Sequence, residues 1–165
     1  MTNLLQVGEL TSNISEIPTF QGLSETCEFH FSGKLGNGEV ASFNISIKDS
    51  TGKEVGYSIF MLKRNFIPFQ VEGIEPNYTV MGRVENLTSD STLYIKGLGT
   101  LLFRRSLELV NDLKEKCKEK GLITEESTVG LVIDVLNHRN GWTERRCNQF
   151  NIPKLRGENH WGKLI

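Results

Sequence analysis

The chain has 165 residues, a length that fits one domain and hardly allows two. Charged residues make up 24% of the composition and hydrophobic residues 38%, which excludes disorder for the bulk of the chain and any collagen-like or fibrous structure. The formal net charge of −1 argues against a dedicated nucleic-acid binder, because binding to phosphates needs a basic surplus.

The cysteines and the N-terminal residues indicate the compartment. The chain has three cysteines, Cys27, Cys117 and Cys147, and no two of them form a CxxC pair. Because their number is odd and the spacing of a metal site is absent, neither a disulfide framework nor a zinc site is expected. The N-terminal residues lack the basic residues and the apolar block of a signal peptide, and no stretch approaches the roughly 18 apolar residues of a membrane span. These features predict a soluble cytoplasmic protein that does not interact with membranes.

The first half of the chain has the period of β-strands. Residues 1–25 form an N-terminal extension of uncertain structure. Its apolar residues Leu4, Leu5, Val7 and Leu10 fit either a short strand or a helix, and residues 11–24 fit a surface connection rich in Ser, Thr and Gly. Phe29 and Phe31 then alternate with polar residues, and residues 40–47 and 55–62 continue the alternation after turn sequences. Three strands joined by tight turns predict an antiparallel meander.

The second half predicts a strand–helix–strand unit. Residues 78–87 form a fourth strand, and an apolar stripe over residues 98–120 marks the one long helix, with Gly121 as its C-terminal cap. Residues 129–135 are apolar on both faces and predict a central fifth strand, which a short helix over residues 141–149 follows. The tail of the chain predicts one or two further strands.

This order of elements predicts an α/β (mixed α+β) fold in a single domain over residues 1–165. The front of the sheet is an antiparallel meander. A parallel strand pair is expected around the long helix, because a strand–helix–strand unit joins parallel strands by a right-handed crossover. The apolar strand at the C-terminus could pair with a second copy, which makes a homodimer possible.

The segment YIKGLGT, residues 94–100, lies between a predicted strand and the start of the long helix. Gly97 and Gly99 let the backbone approach a ligand closely, and the first amides of a helix have no partner within it. With the positive end of the helix dipole and the charge of Lys96, these amides predict a phosphate-binding site. A plain turn that needs glycine only for packing explains the same residues.

The glycine pair and the order of elements resemble the GNAT superfamily of acyl-CoA-dependent N-acyltransferases. In that family the sequence Gln/Arg-x-x-Gly-x-Gly/Ala wraps the pyrophosphate of coenzyme A at a helix start. Gly97 and Gly99 match its two glycines, whereas Tyr94 stands at the Gln/Arg position. Leu87 and Ser89 stand where the family has an apolar-x-apolar strand end.

A second family pattern, Asn-x-x-Ala-x-x-Leu-Tyr, aligns with Asn140, Thr143, Arg146 and Cys147. Its Tyr is the general acid that protonates the departing thiolate of coenzyme A, so the resemblance puts Cys147 in that catalytic place. Packing in the core is the alternative role, since free cysteine is commonly a small buried hydrophobe. The resemblance implies acetyl-CoA as co-substrate, bound by Leu87, Ser89, Tyr94, Lys96, Gly97, Leu98, Gly99, Thr100 and Asn140.

Several charged residues are candidates for acid–base work or phosphate binding. Glu85 lies on the fourth predicted strand, where some family members carry a glutamate that takes the proton of the acceptor amine. A solvent-facing strand residue is the alternative. Asp134 and His138, on and after the fifth strand, are further titratable candidates. Arg145 and Arg146 form a basic run that fits either the phosphates of coenzyme A or a solvated helix face.

The resemblance implies an N-acyltransferase that moves an acetyl group from acetyl-CoA to a primary amine by direct transfer, without a covalent enzyme intermediate. The acceptor is expected to be a small-molecule or protein amine, and the acidic front half of the chain suits a cationic one. Two other functions stay open. The chain fits a non-catalytic acyl-CoA-binding or protein-interaction domain of the same fold, and also an unrelated α+β interaction module whose glycines serve packing alone.

Overall fold

The computed structural model describes residues 2–9, 20–32, 38–64, 70–88, 94–133, 140–155 and 160–165. In this part of the chain seven strands form one sheet in the order β1 to β7. The strands are β1 (Thr2–Glu9), β2 (Ser24–Ser32), β3 (Glu39–Lys48), β4 (Glu54–Arg64), β5 (Tyr78–Asn86), β6 (Val129–Ile133) and β7 (Trp161–Leu164), and the helices are α1 (Leu98–Glu119) and α2 (Asn140–Gln149). The mixed α/β fold is as predicted.

Strands β1 to β5 form an antiparallel ladder in which each strand pairs with the next along the chain. Alternation of residue type explains which face is buried: on β3, Phe43, Ile45 and Ile47 have no exposed surface, and the polar residues between them are half-buried. The predicted meander is therefore confirmed. Of the two alternatives for the N-terminal residues, the strand is the one found, and it extends the ladder by β1.

The crossover β5–α1–β6 joins the only parallel pair of the described sheet, with Tyr78–Gly82 in register with Val129–Ile133. All five residues of β6 are buried, as the apolar pattern on both faces predicts. The strand is internal, between β5 and β7, but it lies next to the edge of the described sheet and not at its centre. Helix α1 ends as predicted, since Gly121 has φ 72° and the amide of Leu122 donates to the carbonyl of Cys117 at 2.9 Å. These are the features of a Schellman cap, which satisfies carbonyl groups that the helix leaves unpaired.

Successive side chains on β4 and β5 point to opposite faces of the sheet, and only one of these faces packs against α1. The hydroxyls of Ser58 on β4 and Ser106 on α1 lie 2.6 Å apart, so Ser58 marks the helix-facing side of the sheet. Val84 of β5 is the register partner of Ser58, and Asn86 is two residues further along the same face. Glu85 lies between them and therefore projects from the opposite face.

The C-terminal elements differ from the prediction in detail. Helix α2 begins at Asn140 itself, one residue earlier than predicted. The tail forms one strand, β7, together with an isolated bridge between Lys154 and Trp161. The predicted end of the fifth strand, residues 134 and 135, lies outside the described residues. Neither described helix is long and apolar enough to cross a membrane.

The outer edge of β7 is already paired within the chain. The amide of Gly162 donates to the carbonyl of Pro153 at 2.9 Å, and the amide of Leu164 donates to a carboxylate oxygen of Glu72 at 2.8 Å. An edge strand pairs with a second chain through its outward-facing amides and carbonyls. Both of these amides have partners within the chain. If two copies paired through the C-terminal strand, their new hydrogen bonds would therefore have to replace the bonds to Pro153 and Glu72.

Candidate functional site

Hydrogen bonds between Asn86, Thr88 and Ile95 hold the residues just before α1 against the end of β5. The buried Asn86 accepts the amide of Thr88 at 3.0 Å and its hydroxyl at 2.6 Å through Oδ1. The hydroxyl of Thr88 accepts the amide of Ile95 at 3.0 Å, and Nδ2 of Asn86 reaches the carbonyl of Ile95 at 3.4 Å. These bonds hold the start of the helix beside the end of the strand.

Gly97 sets the direction in which α1 begins. It precedes the helix with φ 85° and ψ −3°, a left-handed conformation that glycine adopts without a steric penalty. Leu101 donates the first intrahelical bond, to the carbonyl of Gly97 at 3.0 Å. The amides of Gly99 and Thr100 precede that bond and have no carbonyl inside the helix to pair with. The first turn also contains no acidic side chain, so this end of the helix is electropositive.

Gly99 is required for a different reason, which is close packing. A Cβ atom at this position would lie 3.0 Å from Cζ2 of Trp142 on α2. The indole ring also meets Phe103 of α1 edge-on, with ring centroids 6.0 Å apart. Close packing against Trp142 explains the glycine at position 99, whereas the left-handed backbone explains the glycine at position 97.

A cleft that is open to solvent lies between the end of β5, the start of α1 and helix α2. Its wall combines apolar and polar groups and consists of Val84, Asn86, Tyr94, Gly97, Gly99, Thr100 and Trp142. A ligand in this cleft would meet backbone amides at one end and the flat indole ring along one side. Such a combination of an apolar surface with a few placed polar groups is typical of small-molecule sites.

The cleft lies at the end of β5, beyond the last described pair of the two parallel strands. That pair is Gly82 with Ile133, and β5 continues to Asn86 paired with β4. The residues that follow Ile133 lie outside the described part of the chain. Val84 and Asn86, which line the cleft, belong to the part of β5 that follows the described parallel pairing.

Arg146 of α2 lies against two residues of the cleft wall. Its Nη1 donates to the hydroxyl of Thr100 at 3.0 Å, and its guanidinium carbon lies 5.8 Å from the ring centroid of Trp142. Its Nε is buried and has no hydrogen-bond partner among the described residues. Lys96, in the loop before the helix, is exposed and adds a further positive charge.

The structure brings part of the predicted coenzyme A-binding set together. Four predicted residues line the cleft: Tyr94, Gly97, Gly99 and Thr100. Leu98 is fully buried in the core, and Leu87 is 48% exposed in the turn after β5, so neither belongs to the cleft wall. Lys96 is exposed beside the cleft rather than part of its wall. Ser89 and the side chain of Asn140 lie outside the described residues, as do Asp134 and His138.

The two predicted catalytic residues are not in the cleft. Glu85 is half-buried on the opposite face of the sheet, where its register partner is Tyr57 of β4. Cys147 has no exposed surface and belongs to the main hydrophobic core, where burial raises the pKa of its thiol to about 12. A thiol in this state keeps its proton at neutral pH and does not reach the cleft. The interpretation of Cys147 as a core residue is the one that its position supports.

Three residues of the cleft wall were not predicted, namely Val84, Asn86 and Trp142. The Asn-x-Thr sequence directly after a strand could have indicated Asn86, since asparagine commonly bonds the backbone two residues on. No feature of the sequence marks Trp142, because its contact with Gly99 joins two helices that are distant in sequence.

Within the described residues, no group of three or more His, Cys, Asp or Glu side chains could hold a metal ion. No protein-family model, curated protein or solved structure matches this chain.

Proposed function

We propose that the protein binds acyl-CoA in the cleft and transfers the acyl group, acetyl in the first instance, directly to a primary amine. The observation that carries this proposal is the position of the cleft, at the electropositive start of α1 and beside the end of β5. Coenzyme A has an anionic diphosphate, from which an extended amide-containing arm leads to the thioester. The unpaired amides at the start of α1 match the diphosphate, and the mixed apolar and polar wall of the cleft matches the arm.

The diphosphate would lie at the amides of Gly99 and Thr100, which the helix leaves without internal partners. The arm would then extend past Val84 and Asn86 at the end of β5. A backbone N–H in the wall of the cleft could hold the thioester carbonyl. Such a donor stabilises the negative charge that develops on that oxygen when an amine attacks.

The opposite face of the sheet is where we expect the acceptor amine. With the thioester held at the end of β5, an acceptor would approach it from the face away from the helices, from which Glu85 projects. An amine approaching from that side could lose its proton to Glu85, directly or through water, before it attacks the carbonyl. The coenzyme A thiolate is a good leaving group, so the buried Cys147 has no step to perform.

A non-catalytic acyl-CoA-binding domain is the second candidate. It is favoured by the burial of Cys147, because the position at which the family pattern has its general acid carries an inert thiol here. This alternative keeps the cleft and its ligand but removes the acceptor. In both candidates the ligand is a metabolite of the cytoplasm, where we propose that the protein acts.

Isothermal titration with acetyl-CoA and with free coenzyme A tests the shared part of the two proposals. Binding of both ligands is expected, and the absence of heat and of a thermal shift at millimolar ligand would reject both. Release of the coenzyme A thiol in the presence of spermidine or a lysine peptide, above the rate without protein, would support the transferase. Binding without thiol release from any amine of such a panel would leave the binding domain.

A further inference from the structure

We propose that the face of β2–β5 that points away from the helices, called the open face below, packs against the same face of a second copy of the chain. In this dimer the two-fold axis runs along the strands, between β3 and β4. The inference needs no ligand and does not rest on the proposed function. It also uses a different surface from the edge of β7, whose outward amides are paired within the chain.

The described helices leave the open face uncovered, because both pack on the other side of the sheet. On the side of the open face, β6 is covered, since its Val132 is fully buried in a small cluster with Val71 and Leu155. Met81 of β5 is the register partner of Val132 and is 41% exposed. The cover over this side of the described sheet therefore ends between β6 and β5.

Large apolar side chains run along the middle of the open face. Tyr57, Ile59 and Met61 stand at every second residue of β4 and are half-buried. Met81 of β5 is the register partner of Met61, so these four residues form one continuous apolar strip. The solvent-facing side of an antiparallel sheet normally carries polar residues. An apolar strip with polar residues around it is instead typical of a surface that binds another protein.

The size of the side chains on β3 complements the apolar strip. On the open face β3 carries the small polar residues Ser42, Asn44 and Ser46, which pair in register with the strip residues of β4. Rotation about an axis between β3 and β4 places β4 of each copy above β3 of the other. The large side chains of one copy then meet small ones, so that the two sheets can pack at the usual distance of about 10 Å.

The charges of the open face favour the same rotation. Glu28 on β2 and Arg83 on β5 belong to one register row, which passes through Asn44 and Ile59. The rotation brings Glu28 of each copy to Arg83 of the other, so the pair forms twice. Glu28 also lies 3.5 Å from His30 of its own strand, but 42% of its side chain is exposed and can meet a second partner. An axis across the strands would instead place β2 over β2 and bring the two Glu28 carboxylates together.

The open face is large enough for a dimer. Strands about 4.8 Å apart and same-face residues about 6.8 Å apart give this part of the sheet an extent of about 20 Å by 20 Å. Two such faces bury on the order of 1,000 Å² in total, which is the lower limit of a specific interface. Glu85 lies at a corner of this area, on β5 in the row of Tyr57. It therefore stays at the rim, where a small amine can still approach.

Charge reversal tests the contact, with the molar mass measured by light scattering during size-exclusion chromatography. At about 100 μM the wild type is expected to have twice the mass of the chain. Glu28→Arg and Arg83→Glu should each raise the dissociation constant of the dimer about tenfold or more, because each substitution places like charges together twice. An equimolar mixture of the two variants should dimerise again, since both pairs then join opposite charges.

Arg104→Glu and Glu119→Arg are matched controls. Both residues are exposed on α1, on the other side of the sheet, and the substitutions change the net charge by the same amounts. The mass of these two variants should equal that of the wild type. Thermal unfolding confirms that each variant is folded, and Glu28→Gln with Arg83→Gln replaces a reversal that unfolds the protein. These neutral variants should weaken the dimer by a smaller factor.

Three results would overturn the inference. They are a wild type that is monomeric at about 100 μM, a dimer that neither reversal weakens, and a mixture of the two variants that stays monomeric. A dimer that both reversals leave intact would use another surface, such as the edge of β7. Binding of acetyl-CoA enters none of these measurements, so the dimer and the proposed function succeed or fail independently.

Discussion

The indole ring of Trp142 occupies the space into which a side chain at residue 99 would project. A Cβ atom on Gly99 would lie 3.0 Å from Cζ2 of that ring, a distance at which one of the two groups has to move. This contact joins α2 to the first turn of α1 and forms one corner of the cleft. Gly99 therefore determines both how the helices pack and how wide the cleft is.

Gly99→Val should destabilise the protein by about 1–3 kcal/mol, the usual cost of forcing extra atoms into a packed contact. Trp142→Phe, which shortens the ring, should recover part of this loss in the double variant, as a double-mutant cycle in denaturant would measure. Gly141→Val is the control. Gly141 is also the second residue of its helix, but a Cβ there meets only the end of Arg145 at 3.5 Å. Equal losses at both glycines would contradict the prediction.

Gly97→Ala should cost about 1–2 kcal/mol of stability, because a left-handed backbone brings Cβ close to the following carbonyl. Space is not the cause, since a Cβ at this position would meet only Phe20, at 3.7 Å. Gly52 has φ 87° in an open turn far along the chain and is the control for backbone strain. Both variants should lose similar stability in denaturation, but only Gly97→Ala should weaken acetyl-CoA. Undiminished affinity in Gly97→Ala would argue against the cleft as the binding site.

Cys147 should be unreactive in the native protein. Burial raises the pKa of this thiol, and those of Cys27 and Cys117, to about 12, so the thiolate that reacts is scarce at pH 8. Alkylation by iodoacetamide should be slow in the folded state and fast in guanidinium chloride. Intact-mass measurement after incubation with acetyl-CoA should detect no acetyl adduct. An adduct on Cys147 that disappears when amine is added would instead require a covalent intermediate.

Glu85→Gln tests the proposed base. If Glu85 takes the proton of the acceptor, turnover should fall most at neutral pH, where the amine is protonated, and least where the amine is already deprotonated. Glu28 is also half-buried on the face away from the helices, but lies on β2, three strands from Glu85, and provides the control. Glu28→Gln should leave the pH profile unchanged. A profile of Glu85→Gln that matches the wild type at every pH would assign Glu85 to the surface.

Glu25 should make stability depend on pH. Its carboxylate is fully buried on β2, 3.6 Å from Nε of Arg105, and burial raises its pKa above the ordinary 4.5, an effect that Arg105 opposes and Glu108 reinforces. Because the folded state holds this proton more tightly than the unfolded state, the contribution of Glu25 to stability falls as the pH rises above about 4.5.

Glu25→Gln should remove that fall, since an amide does not titrate. Unfolding in denaturant at a series of pH values between about 4.5 and neutrality measures the slope. Glu115 is exposed on α1 and is not among the charges that shift the pKa of Glu25, so Glu115→Gln is the control and should keep the fall in stability. An unchanged slope in Glu25→Gln would show that this carboxylate has the same pKa in both states.

The local elements of the fold could be predicted because their causes are local. Alternation of apolar and polar residues determines a strand whatever it later packs against, and the stripe on α1 together with Gly121 determines where the helix ends. The parallel pair of β5 and β6 followed from the strand–helix–strand order, which requires a crossover connection. The glycine pair also indicated the end of α1 at which the cleft lies.

The composition of the cleft depends on the tertiary structure, because its residues meet across the chain. Strand alternation alone places Val84 and Glu85 on opposite faces, but only the packing of α1 decides which face lines the cleft. Arg146 and Thr100 lie 46 residues apart, and their bond exists because α2 packs across the start of α1. Cys147 follows the spacing of a catalytic pattern, yet its burial leaves it inert. Spacing fixes where a residue stands along a helix, whereas the neighbouring elements determine whether that position faces the core or a ligand.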